Sequence, residues 1–190
     1  MKCILCEALS FTHICKKCQN TFLQPSFFKR KLTNNIEVFS FYKYQDIKEL
    51  LHTKHTDIGY YLYSILAKNS FKKFSMEFTY PKKVCSIAID DNPKDGYSHT
   101  AILNKSLHSK NIKPLFNKLR ASNDLSYSGK SKEYRIMNPR EFKVKQFHHE
   151  EIILVDDIIT TGTTLLEASE ILKSNKKEVL CCLTLADASS

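Results

Sequence analysis

The sequence contains no tryptophan and has little glycine and proline. Its 190 residues include four glycines and five prolines, which are too few for a fibrous or low-complexity protein. There is no run of 18 or more apolar residues, so a transmembrane helix is excluded. The first residues turn polar before the apolar core of a secretory signal could form, and we therefore expect a cytoplasmic protein without membrane insertion. A hydrophobic content of 42% is sufficient for the buried core of one ordinary domain.

Acidic residues are scarce over the first 150 positions. The whole chain has 29 lysines and arginines against 20 acids, a net charge of +9. Residues 151–190 have the opposite balance, with three lysines and seven acids. A basic body with an acidic end suggests an anionic partner for the body and a separate chemical task for the end, although the charge could also serve solubility alone.

Four of the seven cysteines lie within the first 18 residues. Cys3 and Cys6 form one C-x2-C pair, and Cys15 and Cys18 form a second. Two such pairs supply the four thiolates of a closed tetrahedral zinc site, in which no position stays open for a substrate. Disulfides are not expected in a cytoplasmic chain, and a redox C-x2-C would not need a second copy beside it. The sequence therefore predicts a structural zinc knuckle over residues 1–22.

Apolar patterns predict alternating strands and helices along the rest of the chain. The expected strands are at 36–44, 84–89 and 112–119, and the expected helices are at 47–66, with a break near 53–56, and after Gly96. The basic stretch Lys29–Lys31 is interpreted as a linker or an exposed loop. Near the end, a strand at 152–155, a helix at 165–172 and a strand at 179–185 form a unit typical of a parallel sheet, since both strands are apolar without alternation.

The loop between that strand and that helix carries the strongest functional signal. In a parallel sheet, ligands bind beyond the carboxyl ends of the strands, where this loop lies. Thr161 to Thr164 lead into a helix N-terminus, whose free N–H groups favour a phosphate, and Gly162 lets the backbone approach it closely. Asp156 and Asp157 would repel a phosphate, so we expect them to accept hydrogen bonds from sugar hydroxyls or to hold a hydrated Mg²⁺. The pattern matches a ribose 5-phosphate. A simple helix N-cap would explain one threonine but not the carboxylate pair.

The segment from Ile153 to Leu165 resembles the phosphoribosyl pyrophosphate (PRPP) signature of type I phosphoribosyltransferases. Combined with a four-cysteine knuckle in a chain of this length, it is similar to the ComF/ComFC competence family. The resemblance implies an α/β fold, with a mainly parallel sheet flanked by helices over residues 36–190 and a small zinc knuckle over 1–22. Weaker matches are Gly96–Ala101, which resembles the family's Gly-Phe-Asn-Gln-Ala segment, and Arg135–Asn138, followed by Phe142, which resembles its Arg-x-x-Asn segment.

The resemblance also implies a ligand and its contacts. Asp156 and Asp157 would hold the ribose hydroxyls of PRPP, and Mg²⁺ would bridge its pyrophosphate and ribose oxygens. The full predicted PRPP-binding set is Asp156, Asp157, Ile158, Ile159, Thr160, Thr161, Gly162, Thr163 and Thr164. The family acts in natural transformation, handling incoming DNA in the cytoplasm together with other competence proteins.

One segment departs from the family pattern. Where the family has Val-Pro-Val-Pro followed by several arginines, this chain has Ile87-Ala88-Ile89-Asp90-Asp91-Asn92-Pro93-Lys94. A shorter, acidic loop with one lysine is a weak pyrophosphate anchor. Two functions therefore remain: a PRPP-binding competence protein, and an active phosphoribosyltransferase that joins a base or amine to ribose 5-phosphate.

Aromatic and basic residues alternate in the N-terminal half. The four cations next to this aromatic run are Lys29, Arg30, Lys31 and Lys43, and its rings include Phe27, Phe28 and Phe39. Bases of single-stranded nucleic acid stack on aromatic rings while lysines neutralise the phosphates, although most such rings belong to protein cores. We expect single-stranded DNA to bind at these four cations.

Overall fold

A computed structural model describes residues 1–89, 96–122, 137 and 140–189. Its main feature is a six-stranded sheet in the order β1-β2-β8-β7-β3-β4. β1 pairs with β2 in antiparallel fashion, and every other neighbouring pair is parallel. The two remaining strands, β5 and β6, form a separate antiparallel pair. The prediction of an α/β fold with a mainly parallel sheet flanked by helices is confirmed.

The elements follow the sequence in this order. The strands are β1 Phe28–Lys31, β2 Glu37–Lys43, β3 Val84–Ala88, β4 Ile112–Leu115, β5 Leu119–Ala121, β6 Phe142–Val144, β7 Glu151–Ile159 and β8 Glu178–Asp187. The helices are α1 Lys16–Phe22, α2 Tyr44–Leu51, α3 Asp57–Asn69, α4 Phe71–Glu77, α5 His99–Ser106 and α6 Thr163–Ser174, and a 3₁₀ turn at His52–His55 connects α2 to α3.

The central strands are apolar throughout because the sheet is covered on both faces. Along β7, Ile153 and Val155 pack into a core shared with α1 to α5, and the alternating Ile152 and Leu154 pack into a second core shared with α6 and the β5–β6 pair. Successive side chains of a strand point to opposite faces, so a strand buried on both faces reads as a continuous apolar run.

The break predicted near residues 53–56 is the 3₁₀ turn. The Thr53 hydroxyl donates to the Leu50 carbonyl at 2.6 Å, and the Thr56 hydroxyl donates to the Thr53 carbonyl at 2.8 Å. Threonine hydroxyls that bond the local backbone compete with a regular helix. Thr56 is extended and begins α3 as its N-cap residue.

Three expectations about local structure need correction. Lys29–Lys31 is not a loop: it belongs to β1, the edge strand, which pairs with β2. The predicted strand at 112–119 is two strands, β4 and β5. β7 continues through Asp156 and Asp157 to Ile159, because β8 pairs with it along that whole length. The carboxylates are thus in the strand and not in the loop after it.

The N-terminal segment packs against the helices on one face of the sheet. Cys3, Ile14 and Cys18 are buried in the same core as α3. The Asn69 side chain of α3 donates to Gln19 at 3.3 Å, and the His13 ring stacks on Tyr61 with 4.5 Å between ring centroids. In the part of the chain that the structure describes, no helix has the length and apolar character needed to cross a membrane.

Candidate functional site

Two carboxylates lie at the carboxyl end of β7, between β8 and the end of β3. Strand alternation directs Asp157 toward the face covered by α1 to α5 and Asp156 toward the face covered by α6. The Asp157 N–H donates to Asp156 Oδ1 at 2.8 Å, and the Ile158 N–H donates to Asp157 Oδ1 at 2.8 Å. Both carboxylates are therefore oriented by the strand's own backbone.

Asp157 is buried and contacts two basic side chains from other elements. Lys54 Nζ, in the 3₁₀ turn, lies 3.1 Å from Asp157 Oδ2, and His99 Nε2, at the start of α5, lies 3.3 Å from the same oxygen. Burial by itself would raise the pKa of Asp157, but the charges and hydrogen bonds of His99 and Lys54 outweigh it and hold that pKa below its usual range. Asp157 is accordingly ionised at neutral pH.

Asp156 has the opposite electrostatic character. Burial, followed by the negative charge of Asp157, raises the pKa of Asp156 to about 8, and the Arg140 guanidinium partly opposes this shift. Asp157 thus accepts hydrogen bonds as an ionised carboxylate, whereas Asp156 gains or loses a proton near neutral pH. Such a pair can accept hydrogen bonds from adjacent hydroxyl groups and can also donate one.

The turn between β7 and α6 has the geometry of an anion site. Gly162 has a φ of +82°, and it is the N-cap residue of α6. Gly162 has no side chain that could cap this helix, and the Thr163 N–H donates to Thr161 Oγ1 at a long distance of 3.4 Å. Thr161 Oγ1, on the residue before Gly162, and Thr163 Oγ1, on the first residue of α6, lie 2.9 Å apart. Free N–H groups at a helix N-terminus, with hydroxyl donors beside them, suit a phosphate.

Arg30 fixes the strand ends around this turn. Its Nη1 donates to the Thr160 carbonyl at 3.0 Å, to Asp187 Oδ1 at 3.2 Å and to Ser189 Oγ at 2.8 Å. Asp187 is the last residue of β8 and lies opposite Ile159 of β7. Arg30 of the edge strand β1 therefore holds the turn between β7 and α6 next to the end of β8.

The four cations predicted to bind DNA do not share a surface. Lys29 and Lys31 are exposed on one side of β1, and Lys29 pairs with Glu37 at 2.7 Å. Arg30 points to the opposite side, into the contacts just described. Lys43 lies over the Phe28 ring, 5.8 Å from its centroid. Because successive side chains of a strand point to opposite sides, Arg30 is separated from Lys29 and Lys31 and is not one of the exposed cations.

The four N-terminal cysteines form one cluster. The sulfur atoms of Cys3, Cys6, Cys15 and Cys18 all lie within 4.8 Å of one another, and those of Cys6 and Cys15 are 3.7 Å apart. A tetrahedral site with Zn–S bonds of about 2.3 Å places its sulfurs about 3.8 Å apart. The Cys15 N–H donates to Cys3 Sγ at 3.3 Å and lowers the pKa of that thiol to about 6. The cluster could hold a metal such as zinc.

A family model described as PRTase-CE, a phosphoribosyltransferase-like family, matches residues 20–188. The chain belongs to the PRTase-CE family. A search of curated proteins found no match.

Solved structures of phosphoribosyltransferases are similar to this PRTase-CE chain at low identity. A hypoxanthine phosphoribosyltransferase from Staphylococcus aureus is 22% identical, with 66% of this chain and 62% of that chain covered and a TM-score of 0.40. This chain thus spans less than two thirds of that protein's length. An orotate phosphoribosyltransferase from Aeropyrum pernix is 18% identical over 90% of this chain and 80% of that chain, with a TM-score of 0.39. One from Mycobacterium tuberculosis, in complex with inorganic phosphate, is 12% identical over 90% and 81%, with a TM-score of 0.41.

Sequence reasoning missed two side chains at this PRTase-CE site. Lys54 lies in the predicted break between two helices and is 103 residues from Asp157 along the chain, and no pattern connects them. His99 lies within the Gly96–Ala101 segment, which the family resemblance had singled out without assigning a role to that residue. The segment's position at the start of α5 was the available signal.

Two other segments with predicted roles lie outside the described residues. Residues 90–95 include the acidic part of the loop after β3, and Arg135, Ile136 and Asn138 belong to the Arg-x-x-Asn match. The interpretation of both segments remains a prediction.

Proposed function

We propose that this chain binds PRPP at the carboxyl end of β7. Asp156 and Asp157 accept the ribose hydroxyls, and the segment from Thr160 to Thr164, which follows Ile158 and Ile159 at the end of β7, binds the 5-phosphate at the N-terminus of α6. The observation that carries the proposal is that β7 ends in an oriented carboxylate pair and that α6 begins a few residues later at Gly162, a left-handed glycine with the hydroxyls of Thr161 and Thr163 beside it. Family membership in PRTase-CE supports the same ligand.

Mg²⁺ is expected to accompany this ligand, bound mainly by its pyrophosphate and ribose oxygens. The donor chemistry of the protein is compatible with that role, because the carboxylate oxygens at the end of β7 are the hard ligands that Mg²⁺ prefers. The ion would neutralise the pyrophosphate charge near Asp157, which is itself ionised.

Calorimetric titration with PRPP and Mg²⁺ tests the proposal. Replacing both carboxylates, Asp156→Asn with Asp157→Asn, should lower the affinity at least about 30-fold, since a hydrogen bond to the ionised Asp157 contributes roughly 1.5–3 kcal/mol and one to the protonated Asp156 roughly 0.5–1.5 kcal/mol. Glu170→Gln is the matched control, because Glu170 is an exposed carboxylate of α6. Unchanged affinity in the double variant would refute the assigned role.

In the wider role that we propose, the chain is a ComF-type competence protein with a zinc knuckle at residues 1–22 and a PRPP-binding domain at 36–190. The cysteine cluster supports the knuckle by its sulfur spacing. Four thiolates leave no open coordination position, so the zinc would be structural. The cytoplasmic location and competence partners belong to the same proposal.

A specific surface favours single-stranded DNA binding as a second function. An open groove of about 530 Å³ runs between α3, α5 and the end of β4. Its lining combines the aromatic side chains of Tyr60, Tyr97 and Phe116 with the cations Lys72 and Lys105, and no acidic side chain lines it among the described residues. Stacking rings beside ammonium groups suit bases and phosphates respectively. We propose this groove as the main DNA contact, ahead of the predicted cations Lys29, Arg30, Lys31 and Lys43, which remain a prediction.

Fluorescence anisotropy with a single-stranded oligonucleotide, with and without PRPP, tests the groove. The double variant Lys72→Glu with Lys105→Glu should weaken binding at least about tenfold and reduce the salt dependence, because two phosphate contacts are lost. Lys29→Glu with Lys31→Glu is the control on the edge strand. A larger loss in the control, or an affinity independent of salt, would reject the groove.

The alternative function is transfer of the ribose 5-phosphate group to a base or amine. The acidic sequence after β3 argues against efficient turnover, whereas the carboxylate pair would stabilise positive charge that develops on the ribose. Pyrophosphate release from PRPP, measured over a panel of bases and amines, separates the two. Sustained release with any acceptor would establish the enzyme, and its absence over the panel favours the binding protein.

A further inference from the structure

The cation closest to the carboxylate pair comes from the turn between two helices. Lys54 Nζ contacts Asp157 Oδ2, and the charge of Asp157 raises the pKa of Lys54, which keeps the amine protonated. The Lys54 side chain is 29% exposed. An ammonium has three donors, and one hydrogen bond of this group is seen among the described residues. Lys54 thus has donors for a further acceptor while it touches Asp157.

The turn that carries Lys54 is held in place from two sides. The Tyr97 hydroxyl donates to the Lys54 carbonyl at 2.7 Å and also lies 3.1 Å from the Thr56 carbonyl. A methyl group at Gly59 would overlap both the Thr53 carbonyl and the Tyr97 hydroxyl. α3 therefore closes tightly onto the turn, and the turn is fixed to the segment that leads into α5. A cation on a fixed backbone is a preorganised binding group.

The position of Lys54 relative to the sugar determines what it can contact. If Asp157 binds the 2-hydroxyl of the ribose, the adjacent ring carbon C1 carries the pyrophosphate, so a cation on the same carboxylate is within reach of that group. The 5-phosphate lies at the other end of the sugar, at the start of α6. The sequence after β3 supplies Asp90, Asp91 and Asp95 against Lys94, so most of the pyrophosphate charge has to be balanced from elsewhere.

We propose that Lys54 is the protein's main cation for the pyrophosphate group of PRPP, and that His99 orients Asp157 beside it. The inference rests on the proposed function of the same site. Lys54 donates to a pyrophosphate oxygen when PRPP is bound, and His99 keeps its contact with Asp157 Oδ2. The side chain of Lys54 therefore distinguishes PRPP from ribose 5-phosphate, which has the same 2- and 3-hydroxyls and 5-phosphate but a hydroxyl in place of the pyrophosphate at C1.

The test compares these two ligands on Lys54 variants of the full chain. Calorimetry with Mg²⁺ should show that Lys54→Met lowers the affinity for PRPP by about 10- to 100-fold, the value of one charge-assisted contact. Its affinity for ribose 5-phosphate should change less than about threefold. Lys54→Arg should retain most of the PRPP affinity. Lys29→Met is the matched control, since Lys29 also pairs with a carboxylate but lies on the edge strand.

Each other outcome overturns the inference in a recognisable way. Equal losses for both ligands would mean that Lys54 acts only by holding Asp157. Unchanged PRPP affinity would mean that it makes no contact with the pyrophosphate. If the wild-type protein binds neither ligand, the proposed function itself is refuted. If it binds ribose 5-phosphate as tightly as PRPP, only the role proposed for Lys54 is refuted. Lys54→Gln is measured in parallel, so that unfolding of the Met variant cannot mask the answer.

Discussion

Adjacent residues of one strand can have opposite electrostatic roles, and Asp156 and Asp157 illustrate this. Asp157 contacts Lys54 and His99 and stays ionised, whereas burial and the negative charge of Asp157 raise the pKa of Asp156. The sequence predicted the pair, although in the loop after the strand and not within it, because two carboxylates directly after four apolar residues are a recognisable pattern. It could not predict Lys54, since contacts across 103 residues depend on how the layers pack.

The raised pKa of Asp156 predicts how stability depends on pH. The folded protein holds this proton up to about pH 8, whereas the unfolded chain releases it near 3.8. The stabilisation is therefore complete below about pH 4 and is lost as the pH rises through 8. A rise of this pKa from 3.8 to about 8 corresponds to several kcal/mol, so Asp156→Asn, which cannot ionise, should gain at least about 2 kcal/mol over wild type between pH 5 and pH 9, or at least roughly 4 °C in melting temperature.

Thermal unfolding of both proteins at pH 5, 7 and 9 checks this prediction. The difference in melting temperature between variant and wild type should grow with pH. Effects of pH on the cysteines are common to both proteins and do not contribute to this difference. A difference that is the same at all three values would show that Asp156 is ionised throughout.

At the scale of the element, the β7–α6–β8 unit was predictable because its apolar runs are continuous and its turn residues are distinctive. The edge strand β1 was not, because three successive basic residues carry no strand pattern. That strand forms through backbone pairing with β2, and Arg30 is stabilised by contacts with Thr160 and Asp187. The positive charge of Arg30, which in the sequence indicated an exposed segment, is thus bound to other residues within the fold.

Two glycines in the left-handed region permit a matched prediction about the turn. Gly162 has a φ of +82° and Gly96 a φ of +86°, but a Cβ at Gly162 would lie 2.8 Å from Leu32 Cδ2, whereas a Cβ at Gly96 meets no atom within 4 Å. Gly96→Ala should cost about 1 kcal/mol of unfolding free energy for backbone strain alone. Gly162→Ala should cost about 2–3 kcal/mol, because the side-chain overlap adds to that strain.

Chemical denaturation of the two variants measures the difference. Gly162→Ala should also weaken binding of inorganic phosphate or ribose 5-phosphate, since a β-carbon at a φ of +82° strains the turn itself and also contacts Leu32, and Gly96→Ala should not. Equal destabilisation of the two variants would mean that Leu32 moves aside without cost and that the turn is not closely constrained.

At the scale of the whole molecule, the cysteine knuckle and the sheet share one core. Sequence reasoning separated residues 1–22 from 36–190, since the cysteine spacing marks a local module. Packing of Ile14, Cys3 and Cys18 against α3 could not be read from that spacing. The loss of a metal at the knuckle is therefore expected to affect more than the knuckle.

Removal of zinc tests that coupling. Chelation should expose residues 1–22 to limited proteolysis and lower the melting temperature by at least about 5 °C, since the helical face of the core loses its N-terminal cover. Added zinc should restore both, and Cys6→Ser should behave like the chelated wild type. Unchanged proteolysis and melting after chelation would exclude a structural metal.

The most direct test of the account is a crystal structure of the chain with PRPP and Mg²⁺. The account predicts the 5-phosphate at the N-terminus of α6, beside Thr161 and Thr163, and the ribose hydroxyls on Asp156 and Asp157. Density for PRPP at any other place, or none at the end of β7 under conditions where calorimetry shows saturation, would contradict it.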